Sequence, residues 1–253
     1  MDLGLKGLKV IVTGATKGIG RAAAFTFARE GADVALCARN AAEVNDTVGE
    51  LKTRGGDVLG RALDVADASS LKDWVRDIAS QWGQIDVVVS NVSALAIAND
   101  DESWKKGFDI DMMGTVNLVN AAMPHLEQSN NAAIVTISSV SGREIDFASG
   151  PYGAFKAAIV HYTQGLAFHL AHKKIRANSV SPGNTFFEGG VWHQIQQGNP
   201  KLYQEALALN PTGRMATPQE IANAIVFIAS PAASFVTGTN LVVDGALTRG
   251  VQL

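Results

Sequence analysis

Short apolar runs rich in β-branched residues alternate along this chain with longer amphipathic stretches. The runs KVIVTG (9–14), DVALCA (33–38), DVLGRAL (57–63), IDVVVS (85–90), AAIVTIS (132–138), IRANSVS (175–181) and NLVVD (240–244) read as strands. Most carry apolar residues at successive positions, the pattern of strands buried on both faces. Helices are predicted between them near 19–30, 41–54, 69–82, 102–128, 151–172 and 218–229. Such strands, separated by helices, imply a parallel sheet covered on both sides, and right-handed crossovers make it doubly wound. The expected architecture is therefore α/β, a doubly wound parallel sheet of about seven strands with helices on both faces. No linker, repeat or low-complexity tract divides residues 1–253, so one domain is expected. The rhythm breaks at 184–212, a stretch with paired glycines, Phe186, Phe187, Trp192 and Tyr203 but no strand pattern. A long insertion after a strand suits a substrate lid. The alternative is a surface helix pair packing its aromatics on the body.

Composition narrows the function classes. The net charge of −3 and the absence of a dense basic cluster exclude a general pull toward nucleic acid or anionic membrane. No apolar run reaches the roughly 20 residues a membrane-spanning helix needs. The opening MDLGLKGLKV is too short and too weakly apolar for a secretory signal region, so a cytoplasmic location is expected. A single cysteine, Cys37, precludes an internal disulfide and sits in an apolar run, where a thiol is a small core residue. The five histidines show no metal-ligand spacing, and no metal is expected.

Two short patterns carry chemistry. VIVTGATKGIGRAA (10–23) runs from strand through glycines into an alanine-rich helix. Backbone N–H groups at such a helix start face a phosphate, and glycine permits its close approach. The glycines Gly14, Gly18 and Gly20 are spaced G-x-x-x-G-x-G, which matches neither G-x-G-x-x-G nor a Walker loop. A glycine-rich turn without a ligand remains open from this stretch alone. The second pattern is YGAFK, Tyr152 to Lys156. Residues i and i+4 share a helix face, and an ammonium beside a phenol favours its ionised form, an arrangement suited to proton exchange with an alcohol oxygen.

Together TGATKGIG on the first strand-to-helix turn, ISS at 137–139, and YGAFK starting thirteen residues after Ser139 resemble the short-chain dehydrogenase/reductase family. LDV (63–65), SPG (181–183) and FVTGTNLVVDG (235–245) extend the resemblance over essentially the whole chain. The resemblance implies a Rossmann-like fold and resolves the glycine spacing as that family's dinucleotide loop, with Gly14, Thr16, Lys17, Gly18, Ile19 and Gly20 at the cofactor. It implies Tyr152 as acid/base, Lys156 as its electrostatic partner and a ligand of the nicotinamide ribose, and Ser139 as a hydrogen-bond partner of the substrate oxygen. Asp64 and Val65 fall near the adenine, Asn91 near the ribose, and Pro182, Gly183 and Thr185 near the nicotinamide. It also implies a small carbonyl or alcohol substrate and a homotetramer, or a dimer, formed through the helices at 102–128 and 151–172.

Coenzyme choice follows from the end of the second strand. A carboxylate there holds a ribose 2′-hydroxyl and repels a 2′-phosphate. This chain has Ala38 followed by Arg39, with Lys17 nearby in the loop. Two cations suit a phosphate, so NADP(H) is expected, with NAD(H) as the alternative.

Departures from the family pattern mark where this chain differs. Asp111 in DMMG stands where the family has asparagine, its register fixed by Trp104 and Gly114. An ionised aspartate only accepts hydrogen bonds, and it would attract Lys156. SNVS (90–93) replaces NNAG, and Phe187 stands at a position where many relatives have threonine. Ser141, Glu144, Phe186, Phe187, Trp192 and His193 are the expected substrate-pocket residues. The leading reading is an NADP(H)-dependent oxidoreductase reducing a ketone or aldehyde. The competing readings are an NAD-dependent alcohol dehydrogenase and a non-catalytic dinucleotide-binding regulator.

Overall fold

The most apolar runs form the inner strands of one sheet, with helices above and below it. A computed structural model describes residues 1–250. Among these, strands β1 (Lys9–Thr13), β2 (Asp33–Ala38), β3 (Val58–Ala62), β4 (Val87–Ser90), β5 (Ala133–Ile137), β6 (Arg176–Pro182) and β7 (Asn240–Val243) form one sheet. Its order is β3-β2-β1-β4-β5-β6-β7, and every neighbouring pair is parallel. The helices are α1 (Gly18–Arg29), α2 (Ala41–Lys52), α3 (Ala68–Trp82), α4 (Asp101–Lys106), α5 (Gly114–Leu126), α6 (Pro151–Leu170), α7 (Val191–Gly198), α8 (Pro200–Ala208) and α9 (Pro218–Ala229).

Alternate residues of each strand feed two separate apolar layers. Val10, Val12, Val34 and Leu36 face one side and pack with Phe27 of α1 and Ile221 and Ile225 of α9. Ile11, Ala35, Cys37 and Val88 face the other and pack with Trp74 of α3 and Leu118 of α5. A sheet buried on both faces explains why its strands lack a polar side. The strand order reverses at β1, whose neighbours are β2 and β4. In open α/β sheets ligands bind at the carboxyl ends of strands beside such a reversal.

Two expectations change in detail. The helix expected at 102–128 is α4 and α5 joined through a π-helical turn, Gly107–Met113. Residues 184–212 contain the helix pair α7 and α8, whose Trp192 and Ala206 form a small third core with Met215 from the following loop and with Phe186 and Tyr203 around them. The aromatics thus pack largely within the insertion, while Phe187 and Trp192 also reach the cleft below it.

Candidate active site

A cleft of about 770 Å³ opens over the carboxyl ends of the strands, from Arg39 beyond β2 to Tyr152 on α6 and Trp192 on α7. Its size and its mixture of apolar walls and polar groups are those of a ligand site. The first wall is the β1–α1 loop. Gly14 takes φ +67°, a left-handed conformation that side chains rarely adopt, and its N–H donates to Cys37 O at 2.8 Å. Asn91 Nδ2 donates to Thr13 O at 3.1 Å and Gly14 O at 3.2 Å, clamping the loop from the end of β4. Lys17 is the N-cap of α1 in extended backbone, with no side chain capping the first turn. The first-turn N–H groups are thus left without a capping side chain beside the cleft.

Placement of the expected dinucleotide residues follows from this loop. Gly14, Thr16, Lys17, Gly18, Ile19 and Arg39 all line the cleft. So do Asp64, Val65, Asn91, Pro182, Gly183 and Thr185. Gly20 does not. A Cβ there would collide with Asn91 Nδ2 and Gly14 O, so this glycine serves the packing of α1 beneath the loop. The amide of Asn91 is directed into the same loop, which makes it a structural clamp as well as part of the cleft wall. Lys17 is not a lone cation, because Glu43 of α2 pairs with it at 2.7 Å and also accepts from Thr16 Oγ1. The bond from Lys17 and, to a smaller degree, that from Thr16 hold the Glu43 carboxyl below its ordinary range. Glu43 also lines the cleft, and sequence reasoning missed it.

At the other end, Ser139, Tyr152 and Lys156 come together. Ser139 follows β5 and starts a 3₁₀ turn, Val140–Gly142, with its Oγ accepting from Ser141 N at 3.1 Å. The preceding Ser138 donates through Oγ to Lys156 O at 2.8 Å, tying α6 to the end of β5. Two glycines bring these pieces into contact. A Cβ at Gly142 would lie 2.7 Å from Lys156 C, and one at Gly153 2.8 Å from Ser141 O. Lys156 Nζ donates to Ile137 O at 3.0 Å and lies 5.6 Å from the centroid of the Tyr152 ring. Its side chain is 2% exposed, as is that of Asp111, whose Oδ1 lies 3.2 Å from the ammonium.

Asp111 sits on the π-helical turn, behind Lys156 and outside the cleft lining. Its Oδ2 accepts from Ala94 N at 2.8 Å, so the carboxylate joins the loop after β4 to α6. π-turns mark functional positions in helices, and this one carries the family departure.

Of the expected substrate-pocket residues, Ser141, Phe187 and Trp192 line the cleft. Glu144 does not; it lies at the exposed surface and accepts from Arg249 N. Phe186 turns into the α7–α8 core, packing edge-on against Tyr203 and His193, because its neighbour Phe187 takes the cleft-facing position. His193 accepts from Gly189 N at 3.0 Å and faces Gln197 one turn on, away from the cleft. The Phe187 ring lies over the dinucleotide loop, where a Cβ on Gly18 would meet it at 2.6 Å. Ser93, Asp146 and Phe147 also line the substrate end and were not expected there. Asp146 accepts from Ser141 Oγ at 2.6 Å and Ala148 N at 2.8 Å. Among the described residues no cluster of three metal-ligating side chains exists, and no helix is long and apolar enough to cross a membrane.

Comparison with known proteins agrees with this fold. The family model described as enoyl-(acyl carrier protein) reductase matches residues 14–248. An isoepoxydon dehydrogenase of Penicillium expansum is 42% identical over 259 aligned positions, covering 100% of this chain and 99% of the relative. The solved structure of an L-sorbose reductase of Gluconobacter frateurii with NADPH and L-sorbose superposes with a TM-score of 0.90 at 27% identity, over 99% of this chain and 100% of the other. A 7α-hydroxysteroid dehydrogenase solved with NADH and 7-oxo glycochenodeoxycholic acid gives 0.90 at 30% identity, over 97% and 96%.

Proposed function

Because this chain belongs to the short-chain dehydrogenase/reductase family, we propose that its cleft binds NADP(H) and reduces a ketone or aldehyde to an alcohol. The observation that carries the reading is that Ser139, Tyr152 and Lys156 line one end of a continuous cleft whose other end holds the β1–α1 loop and Arg39. The dinucleotide fits the residues present. The uncapped start of α1 receives the pyrophosphate. The Phe187 ring fills the space against Gly18, so it turns aside for the phosphates to reach that part of the loop. When bound, the coenzyme supplies the hydride.

The chain's own residues handle the oxygen and the proton. Ser139 Oγ and Tyr152 Oη hold the carbonyl oxygen, and Tyr152 gives its proton as the alcohol forms. Lys156, fixed by Ile137 O and Asp111, holds the nicotinamide ribose and the charge balance around the phenol. Phe147, Trp192 and Phe187 screen the reacting carbon from water. A homotetramer is part of this reading. It is supported by Trp104 and Phe108, 41% and 47% exposed, which stack with Phe155 on the outer face of α4, the π-turn and α6.

Arg39 gives the preference for NADP(H), since no carboxylate stands at Ala38 to hold a 2′-hydroxyl. One observation favours NAD(H) instead: Glu43 puts a carboxylate on Lys17 at the same end. Steady-state kinetics with both coenzymes separates the two readings. Arg39→Asp is expected to lower kcat/KM for NADPH about tenfold or more, the worth of one charge-assisted bond, while sparing NADH. An unchanged NADPH/NADH ratio would contradict the NADP(H) reading.

A further inference from the structure

We propose that Asp111 is a positioning residue that acts through Lys156: its carboxylate is the counter-ion of the ammonium, and the neutral pair keeps Tyr152 a proton donor, the state that carbonyl reduction needs. The inference rests on the function proposed above and assigns a direction to it. Both side chains are 2% exposed, so neither charge is screened by water. Asp111 Oδ2 is occupied by Ala94 N, but Oδ1 accepts no directed hydrogen bond from the described residues and faces the ammonium at 3.2 Å. A buried carboxylate oxygen left this way is balanced by charge, and Lys156 is the cation beside it. The backbone aims the carboxylate as well. The π-turn carries it, Thr115 Oγ1 donates to Asp111 O at 2.7 Å, and Ser90 Oγ holds Thr115 Oγ1 at 2.9 Å.

The consequence falls on Tyr152, whose ring centroid lies 5.6 Å from the same ammonium. A lone ammonium there stabilises a phenolate, and a carboxylate beside it cancels much of that attraction. The neutral asparagine of the family pattern would leave the full positive charge acting on the phenol. Other charged groups near these elements stay fixed in the comparison. Asp146, on the loop after β5, is held by Ser141 and Ala148, and Arg143 and Glu144 on that loop are exposed. Lys106 of α4 pairs with Glu102, and Asp109 of the π-turn pairs with Lys105. Arg176 of β6 is engaged by the carbonyls of Ile228, Ala229 and Ser230.

The test is the pH dependence of kcat for NADPH-driven reduction of a carbonyl that the full-length wild type accepts, compared with Asp111→Asn and Asp111→Ser. Both variants remove the charge, and Asp111→Asn keeps a side-chain acceptor for Ala94 N–H. Both are expected to bind NADPH and to lose activity on the alkaline side at a pH about one unit or more below the wild type. An alkaline limb that stays in place or moves upward in both variants would overturn the assignment. So would loss of NADPH binding in both, which would make Asp111 a purely structural acid. A wild type that reduces no carbonyl with either coenzyme would fail earlier, at the function itself, and the inference would fall with it.

Discussion

Cys37 and Gly20 show how far neighbouring atoms decide what a residue does. Cys37 lies on β2 beneath the dinucleotide loop, with none of its surface exposed. Burial pushes its thiol up to about 12, against a smaller opposing effect of a backbone hydrogen bond with Gly14. At neutral pH it holds no thiolate, the form that reacts. A thiol reagent is therefore expected to leave the native protein unmodified and to label one site only after denaturation in urea. Rapid native labelling would contradict the packing of the β1–β2 floor. At Gly20 a side chain would displace Asn91 and the Gly14 carbonyl together. Tyr152 and Lys156 were legible in the sequence because residues i and i+4 share a helix face, whereas Ser139 was placed by the family resemblance. The Lys17–Glu43 pair was not, because its partners lie on different helices and meet only when β1 and β2 are neighbours. The substitution at Phe187 was legible, but its ring's place over Gly18 was not, since that depends on how residues 184–190 fold back.

Among the elements, α9 starts most explicitly. Thr217 accepts from Glu220 N and Glu220 accepts from Thr217 N, a reciprocal capping box, with Pro218 at the first helical position. Arg214 binds Glu220 through two nitrogens, at 2.8 and 2.6 Å. Chiefly through Arg214, and then through Thr217, the Glu220 carboxyl is held at about 2. Thr217→Ala is expected to destabilise the protein by about 1 kcal/mol in urea unfolding at neutral pH. A lowered carboxyl contributes stability above the ordinary glutamate range and loses it as pH falls toward 2. The difference between wild type and Glu220→Gln should accordingly shrink with acidification through that window. A difference that grew there would contradict the pairing. Helix starts of this kind are written locally, in a threonine, a proline and a glutamate. The π-turn within 102–128 is not, because it is set by i→i+5 backbone hydrogen bonds that no residue pattern in the stretch marks. The α7–α8 pair was legible only as the alternative to a lid, because its apolar residues serve both its own small core and the cleft.

For the whole molecule, the succession of doubly apolar strands and intervening helices was enough to anticipate a parallel sheet covered on both faces. The order β3-β2-β1-β4-β5-β6-β7 followed from tertiary pairing, and it puts the β1–α1 loop, the end of β2 and the end of β5 around one opening. Composition reported none of this; it only removed nucleic acid and membrane from consideration. The central claim is that this opening joins a dinucleotide site to a tyrosine that gives up a proton. Its most direct test supplies purified protein with NADPH deuterated at the transferable position and a panel of ketones and aldehydes. Mass spectrometry then follows deuterium into the product alcohol for the wild type and for Tyr152→Phe. The wild type is expected to place one deuterium on the carbinol carbon, and Tyr152→Phe to slow this by about a hundredfold or more while still binding NADPH. Equal rates of deuterium transfer in the two proteins would contradict the claim.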